Sequence, residues 1–165
     1  MLVRDAAAGD LPAVVELHNE LLDATTYTWT ERPQTLAERK AVFERNGARG
    51  FPLLVAVEDG VVCGAASYGD FRDSIRWPGY RTTVEHSVNV FEHSWGKGIG
   101  KLLMQELIAR ARRAGIHVMV GVIDASNLRS LEFHQRLGFR EVARMPETGF
   151  KHGRWCDLVF VQRQV

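Results

Sequence analysis

The sequence predicts an α/β layered domain, a mixed and mostly antiparallel central sheet with helices on both faces. Three observations point there. A turn at Glu58-Asp-Gly60 joins two strand-like runs, Leu53 to Val57 and Val61 to Tyr68, and requires antiparallel pairing. His117 to Ile123 is almost uniformly apolar, as a central strand covered on both faces should be. Between these regions the pattern alternates strand, helix, strand, and that requires crossovers. The order β-α-α-β-β-β-α-β-α-β-β is not the regular alternation of a doubly wound sheet.

Leu2 to Val3 opens the chain as a short strand. Asp10 is placed to cap a helix running to about Leu22, with Pro12 in its first turn and Leu11, Val14, Leu17 and Leu21 on one face. Thr35-Leu-Ala-Glu38 is a capping box, and its helix should stop near Asn46-Gly47. Arg81 to Val90 alternates apolar and polar residues as a long strand. The next helix carries Leu102, Leu103, Leu107, Ile108 and Ala111 and ends at Gly115. A helix from Asn127 to Leu137 is closed by Gly138, and Phe139 to Arg144 and Trp155 to Val161 supply the last strands.

With 165 residues and no repeat or linker, residues 1–165 read as one domain. A net charge near +1 gives no field to recruit nucleic acid or an anionic membrane, and no window approaches the ~20 apolar residues of a spanning helix. Arg4, Asp5 and Asp10 interrupt what a signal peptide would need, so a cytoplasmic protein is expected. Cys63 and Cys156 form no metal-binding spacing, and neither do His18, His86, His93, His117 and His152; no metal is expected.

The segment Trp95-Gly96-Lys97-Gly98-Ile99-Gly100-Lys101 lies between a strand and an amphipathic helix. Its glycines let the backbone turn its amides outward at a helix N-terminus, where a phosphate is the natural guest. A dinucleotide fingerprint fails, because Lys101 or Leu103 stands where its third glycine belongs. A Walker A loop fails at Trp95 and Leu102. On spacing alone, a phosphate site and a plain glycine-rich turn both remain open.

The segment resembles motif A of the GNAT acetyltransferases, [Arg/Gln]-x-x-Gly-x-[Gly/Ala], with Gly98 and Gly100 on the small-residue positions and Trp95 in place of the Arg or Gln. Asn127-Leu-Arg-Ser130 followed by His134-Gln-Arg-Leu-Gly-Phe139 resembles the later motif of that family, which lines the pantetheine arm. Thr25-Thr-Tyr-Thr-Trp29, Ala65-Ala-Ser-Tyr-Gly-Asp-Phe-Arg72, Tyr80-Arg-Thr-Thr-Val-Glu-His-Ser-Val88, Ile123-Asp-Ala and Gly149-Phe-Lys-His-Gly-Arg-Trp-Cys-Asp-Leu158 are similar to the phosphinothricin and methionine sulfoximine branch. Asn89 departs from the tyrosine usual there. The resemblance implies acetyl-CoA as cosubstrate, bound by residues 95–101 with Asn127, Ser130 and the backbone at Val88 and Val90. It also implies a small amino acid as acceptor, and a homodimer.

Acetyl transfer to an amine needs a base for the ammonium proton and a donor for the carbonyl oxygen. Strand alternation puts Glu85, Ser87 and Asn89 on one face and Val84, His86, Val88 and Val90 on the other. Glu85 alone reads as an exposed strand carboxylate; the resemblance makes it the general base. His134 has two readings of equal standing, a proton donor to the thiolate or a satisfied core histidine. Arg72, Arg76, Arg81, Lys151 and Arg154 favour an anionic acceptor over a polyamine, although several of the five serve only as solvated charges. Arg81 and Lys151 are the preferred clamps, with Arg72 beside them. Trp29 and Tyr27 read as a pocket wall or as core.

Overall fold

The computed structural model describes residues 1–165, the side chains of Asp23 and Ala24 excepted. Its strands are β1 (Leu2–Asp5), β2 (Leu53–Glu58), β3 (Val61–Asp70), β4 (Thr83–Val90), β5 (Val118–Asp124), β6 (Arg140–Lys151) and β7 (Arg154–Gln164). Its helices are α1 (Leu11–Ala24), α2 (Leu36–Ala48), α3 (Ile99–Arg113) and α4 (Leu128–Arg136). The strands form one seven-stranded sheet in the order β1-β2-β3-β4-β5-β7-β6. Only β4 and β5 pair in parallel; every other neighbouring pair is antiparallel.

Local chemistry fixes the hairpins. Asp59 and Gly60, at φ 51° and 82°, supply the two positive-φ positions that join β2 to β3, and His152 and Gly153 do the same between β6 and β7. The capping box at Thr35 forms as expected, with Glu38 N–H donating to Thr35 Oγ1 and Thr35 N–H to Glu38 Oε2. Asp10 behaves differently. Its carboxylate takes the Arg4 guanidinium at 2.7 and 2.9 Å and the Ala7 N–H, so it closes the preceding 3-10 turn and leaves α1 without a side-chain cap. In α1 it is Leu22, not Leu21, that joins Leu11, Val14 and Leu17 in the core. Leu102 is exposed on α3, and Arg81 lies in a turn ahead of β4.

Two cores sandwich the sheet. On one side α3 and α4 cover Leu54, Ala66, Val84, Met119, Ile123, Val159 and Val161, with Leu103, Met104 and Leu107 of α3 fully buried. On the other, Val14 and Leu17 of α1 cover Val55, Val62, Ala65 and Phe91. Burying side chains of this size contributes about 1.5–3 kcal/mol each before entropy. No helix is long and apolar enough to cross a membrane.

Candidate active site

The site begins where β4 and β5 part. Their ladder holds for three register pairs, Thr83↔Val118, Val84↔Met119 and Glu85↔Val120. Beyond it β4 continues to Val90 paired only with β3, while β5 continues to Asp124 paired only with β7. The result is a wedge open at the carboxyl ends of both strands. The Phe91 N–H bonds to Cys63 O at 3.1 Å, which sets the phase of the β3–β4 ladder. Amides of Asn89, Ser87 and Glu85 therefore point to β3, and those of Val88 and Val90 point into the wedge. Two outward N–H groups on one strand are suited to an oxygen that gains negative charge.

The glycine segment stands beside this opening. Gly96 and Gly98 take φ of 80° and 79°, and Gly98 is the N-cap of α3, where it offers no side chain to the first amides. The N-terminal amides of Ile99, Gly100 and Lys101 are thus left to a ligand, with the positive end of the helix dipole behind them. Gly100 is small for a second reason: a Cβ there would lie 3.3 Å from Phe133 of α4. Lys97 leans toward Glu58 at 3.9 Å. Trp95 is fixed by its own donor, Nε1 to Val90 O at 2.7 Å.

On the wall made by α4, Asn127 is the N-cap, its Oδ1 accepting from the Ser130 N–H at 3.0 Å. His134 is buried and both its ring nitrogens are engaged. Nε2 lies 2.9 Å from His86 Nε2, and Nδ1 lies 2.7 Å from the Ser130 carbonyl and 3.3 Å from its hydroxyl. His86 Nδ1 in turn donates to Val120 O at 2.8 Å, at the last rung of the parallel ladder. A carbonyl can only accept, so Val120 O and Ser130 O each take a hydrogen bond from an Nδ1–H; with both rings neutral the two Nε2 atoms then carry lone pairs, and a hydrogen bond between them needs a third ring proton. Burial, then the nearby His134, lowers the His86 pKa, and burial lowers that of His134. His134 is held at both ring nitrogens, and proton delivery from Nε2 would first break the contact with His86. Gly121 makes room for His86, since a Cβ there would stand 2.8 Å from the imidazole.

Glu85, Ser87 and Asn89 face the opposite side of the sheet, that of α1 and α2. Glu85 keeps access to solvent, yet desolvation by the protein around it raises its carboxyl pKa. A narrow cleft on this face is bounded by Leu17, His18, Arg39, Ser67, Ser87 and Asn89. Sequence reasoning missed Arg39. It is half-buried, its Nε donates to the neutral Gln34 Oε1 at 2.7 Å, and among the described residues no carboxylate pairs with it. Burial lowers its pKa, but a guanidinium stays protonated. His18 is depressed by burial and then by the Arg39 charge. The signal was weak in sequence, because Arg39 follows a capping box and reads as a solvated helix charge.

The expected clamps separate. Lys151 is a correction: it is 1% exposed, and its Nζ donates to Leu22 O, Thr25 O and Thr28 O at 2.6, 2.9 and 2.7 Å. All three N–H groups are consumed in tying β6 to the last turn of α1 and the chain just after it, so none reaches a ligand. Arg72 and Arg81 are exposed, Arg72 stacked on Tyr80 and Arg81 donating to Pro78 O. Trp29 is held from two directions. Its Nε1 donates to Asp124 Oδ2 at 3.0 Å, and its ring lies over Gly149, where a Cβ would come within 2.3 Å. Asp124 is buried; burial works to raise its pKa, and the Ser126 and Trp29 donors outweigh it and bring it down. Among the described residues no cluster of three or more His, Cys, Asp or Glu is gathered as a metal would need.

A splayed sheet with outward amides, beside a helix start open to phosphate, is arranged to hold a phosphate-bearing ligand along the wedge, as an acyltransferase using a coenzyme thioester needs. The chain belongs to the acetyltransferase (GNAT) family, whose model matches residues 14–139. It is 47% identical over 161 residues to an L-methionine sulfoximine/L-methionine sulfone acetyltransferase of Pseudomonas aeruginosa, a span of 97% of this chain and 92% of that protein. It is similar to the crystal structure of a phosphinothricin acetyltransferase from Sinorhizobium meliloti in complex with acetyl-CoA (TM-score 0.94, 37% identity, 99% of this chain and 88% of that one). It is also similar to a ribosomal-protein-alanine N-acetyltransferase from Brucella melitensis (TM-score 0.95, 39% identity, all of both chains).

Proposed function

We propose that this protein transfers the acetyl group of acetyl-CoA to the α-amine of a small anionic amino acid of the methionine sulfone, methionine sulfoximine or phosphinothricin kind. The observation that carries the reading is the half-buried Arg39 on the Glu85 face, with which no carboxylate pairs among the described residues. A cleft holding a lone guanidinium suits a carboxylate, and it repels the several ammonium groups of a polyamine.

In this reading the amides of Ile99, Gly100 and Lys101, with Gly96, Lys97 and Gly98 shaping the turn, hold the pyrophosphate. Asn127 and Ser130 border the pantetheine arm. Val88 and Val90 N–H groups hold the thioester oxygen as charge develops on it. Glu85 takes the ammonium proton, directly or through one water, and desolvation makes its carboxylate a stronger base than an ordinary glutamate. The free amine then forms the C–N bond as the C–S bond breaks, and the second proton lost by nitrogen leaves with the thiolate. His134 positions α4 against the wedge through His86. Trp29, fixed by Asp124, walls the acceptor site, and Arg72 and Arg81 are its outer cations.

We further propose a cytoplasmic homodimer. Supporting the dimer, β6 is a 12-residue edge strand exposed along most of its length, and Val142, Met145 and Phe150 on it, with Trp155 on β7, present apolar surface.

A thiol-release assay with acetyl-CoA tests the acceptor. Turnover of L-methionine sulfone, L-methionine sulfoximine or L-phosphinothricin, and none of spermidine, is the expected result. The similarity to the Brucella enzyme gives the rival, a protein N-terminus; release only with an alanine-ended peptide would favour it.

A further inference from the structure

The glycine turn opens on Trp95, a side chain with no charge to offer a phosphate. Its indole is fixed to Val90 O through Nε1, so the ring has one orientation. Over that ring lies the guanidinium of Arg129, the second residue of α4, with Cζ 4.2 Å from the centroid. A cation stacked on tryptophan at this distance is held by the ring quadrupole, while its in-plane N–H groups stay free to bond. Among the described residues no carboxylate pairs with Arg129, whereas Lys97, inside the turn, leans toward Glu58. The two elements are also packed together, with Phe133 of α4 against Gly100 in the first turn of α3.

We propose that Arg129, presented on the Trp95 ring, is the cation that binds the coenzyme A pyrophosphate beside the amides of Ile99 to Lys101. The guanidinium fork meets two phosphate oxygens at once, and stacking fixes it before the ligand arrives. Trp95 is then a platform, and the positive charge of the site comes from α4 instead of the turn itself.

Calorimetric titration with coenzyme A tests this without any acceptor. Arg129→Ala should weaken binding about 10- to 100-fold, the range for loss of a charge-assisted pair. Arg129→Lys should recover only part, because a point charge neither stacks nor forks as a guanidinium does. Trp95→Arg in the Arg129→Ala background should restore most of the affinity by placing a guanidinium at the head of the turn. The Arg129→Ala loss should persist with dephospho-coenzyme A, which lacks the 3′-phosphate. Unchanged affinity in a folded Arg129→Ala variant would overturn the proposal, as would no recovery in the double variant or a loss that vanishes with dephospho-coenzyme A.

Discussion

Arg39 and Lys151 show how differently two cations can be used within one fold. Lys151 gives its three protons to carbonyls at and just beyond the end of α1, where the helix dipole is negative. Lys151→Met leaves those acceptors buried without donors, at a cost of about 2–4 kcal/mol. A fall in Tm of roughly 5–15 °C is expected by calorimetry, with the KM for acetyl-CoA unmoved. Arg39 gives one bond to a neutral amide and keeps its two terminal nitrogens for a ligand. Arg39→Met should raise the KM for L-methionine sulfone about 10- to 100-fold at near-normal Tm. The same variant should lose little on the carboxamide analogue, which has no anion to hold; an equal loss on both would assign Arg39 to structure.

At the scale of elements, glycines mark where strands and loops must approach closely. A Cβ at Gly149 would meet three Trp29 ring atoms at 2.3–2.6 Å, so Gly149→Ala should push Trp29 off Asp124. Steady-state kinetics should show a raised acceptor KM and an unchanged acetyl-CoA KM, with about 1–3 kcal/mol of stability lost. The elements themselves were largely legible in sequence, because capping boxes, Asp-Gly turns and a 3.6-residue period act within a few residues. Gly98 at the start of α3 and Asn127 at the start of α4 belong to that local class. What could not be read locally depends on contacts far apart in the chain. Lys151 reaches carbonyls more than 120 residues away, and His86 meets His134 only once α4 packs beneath β4. The loss of Asp10 as the cap of α1 is the same lesson in miniature, because Arg4 on β1 competes for its carboxylate.

For the whole molecule, the neutral histidine pair makes stability depend on pH. The pKa values of His86 and His134 are depressed in the folded chain, so the unfolded chain binds more protons below about pH 6.5. Stability is then complete above that pH and falls as pH drops, by up to about 1.4 kcal/mol per pH unit for each histidine. Thermal melts between pH 7 and 5 should show Tm falling with acid, and His86→Asn should flatten the slope. Quaternary structure belongs at this scale too. Trp155→Glu, on the exposed face of the β6–β7 hairpin, should convert a dimer to a monomer in light scattering if that face is the contact.

Glu85 stands where these scales meet, on the last rung of the parallel ladder, beside the wedge and on the face that carries Arg39. The pH profile of kcat/KM for L-methionine sulfone, measured in the wild type and in Glu85→Gln, tests the account most directly. The wild type should show an acidic limb whose midpoint lies above that of an ordinary glutamate, since burial raises this carboxyl. Glu85→Gln should lose that limb and about 100- to 10,000-fold of kcat while binding acetyl-CoA normally. A Glu85→Gln variant with wild-type rate and the same acidic limb would contradict it.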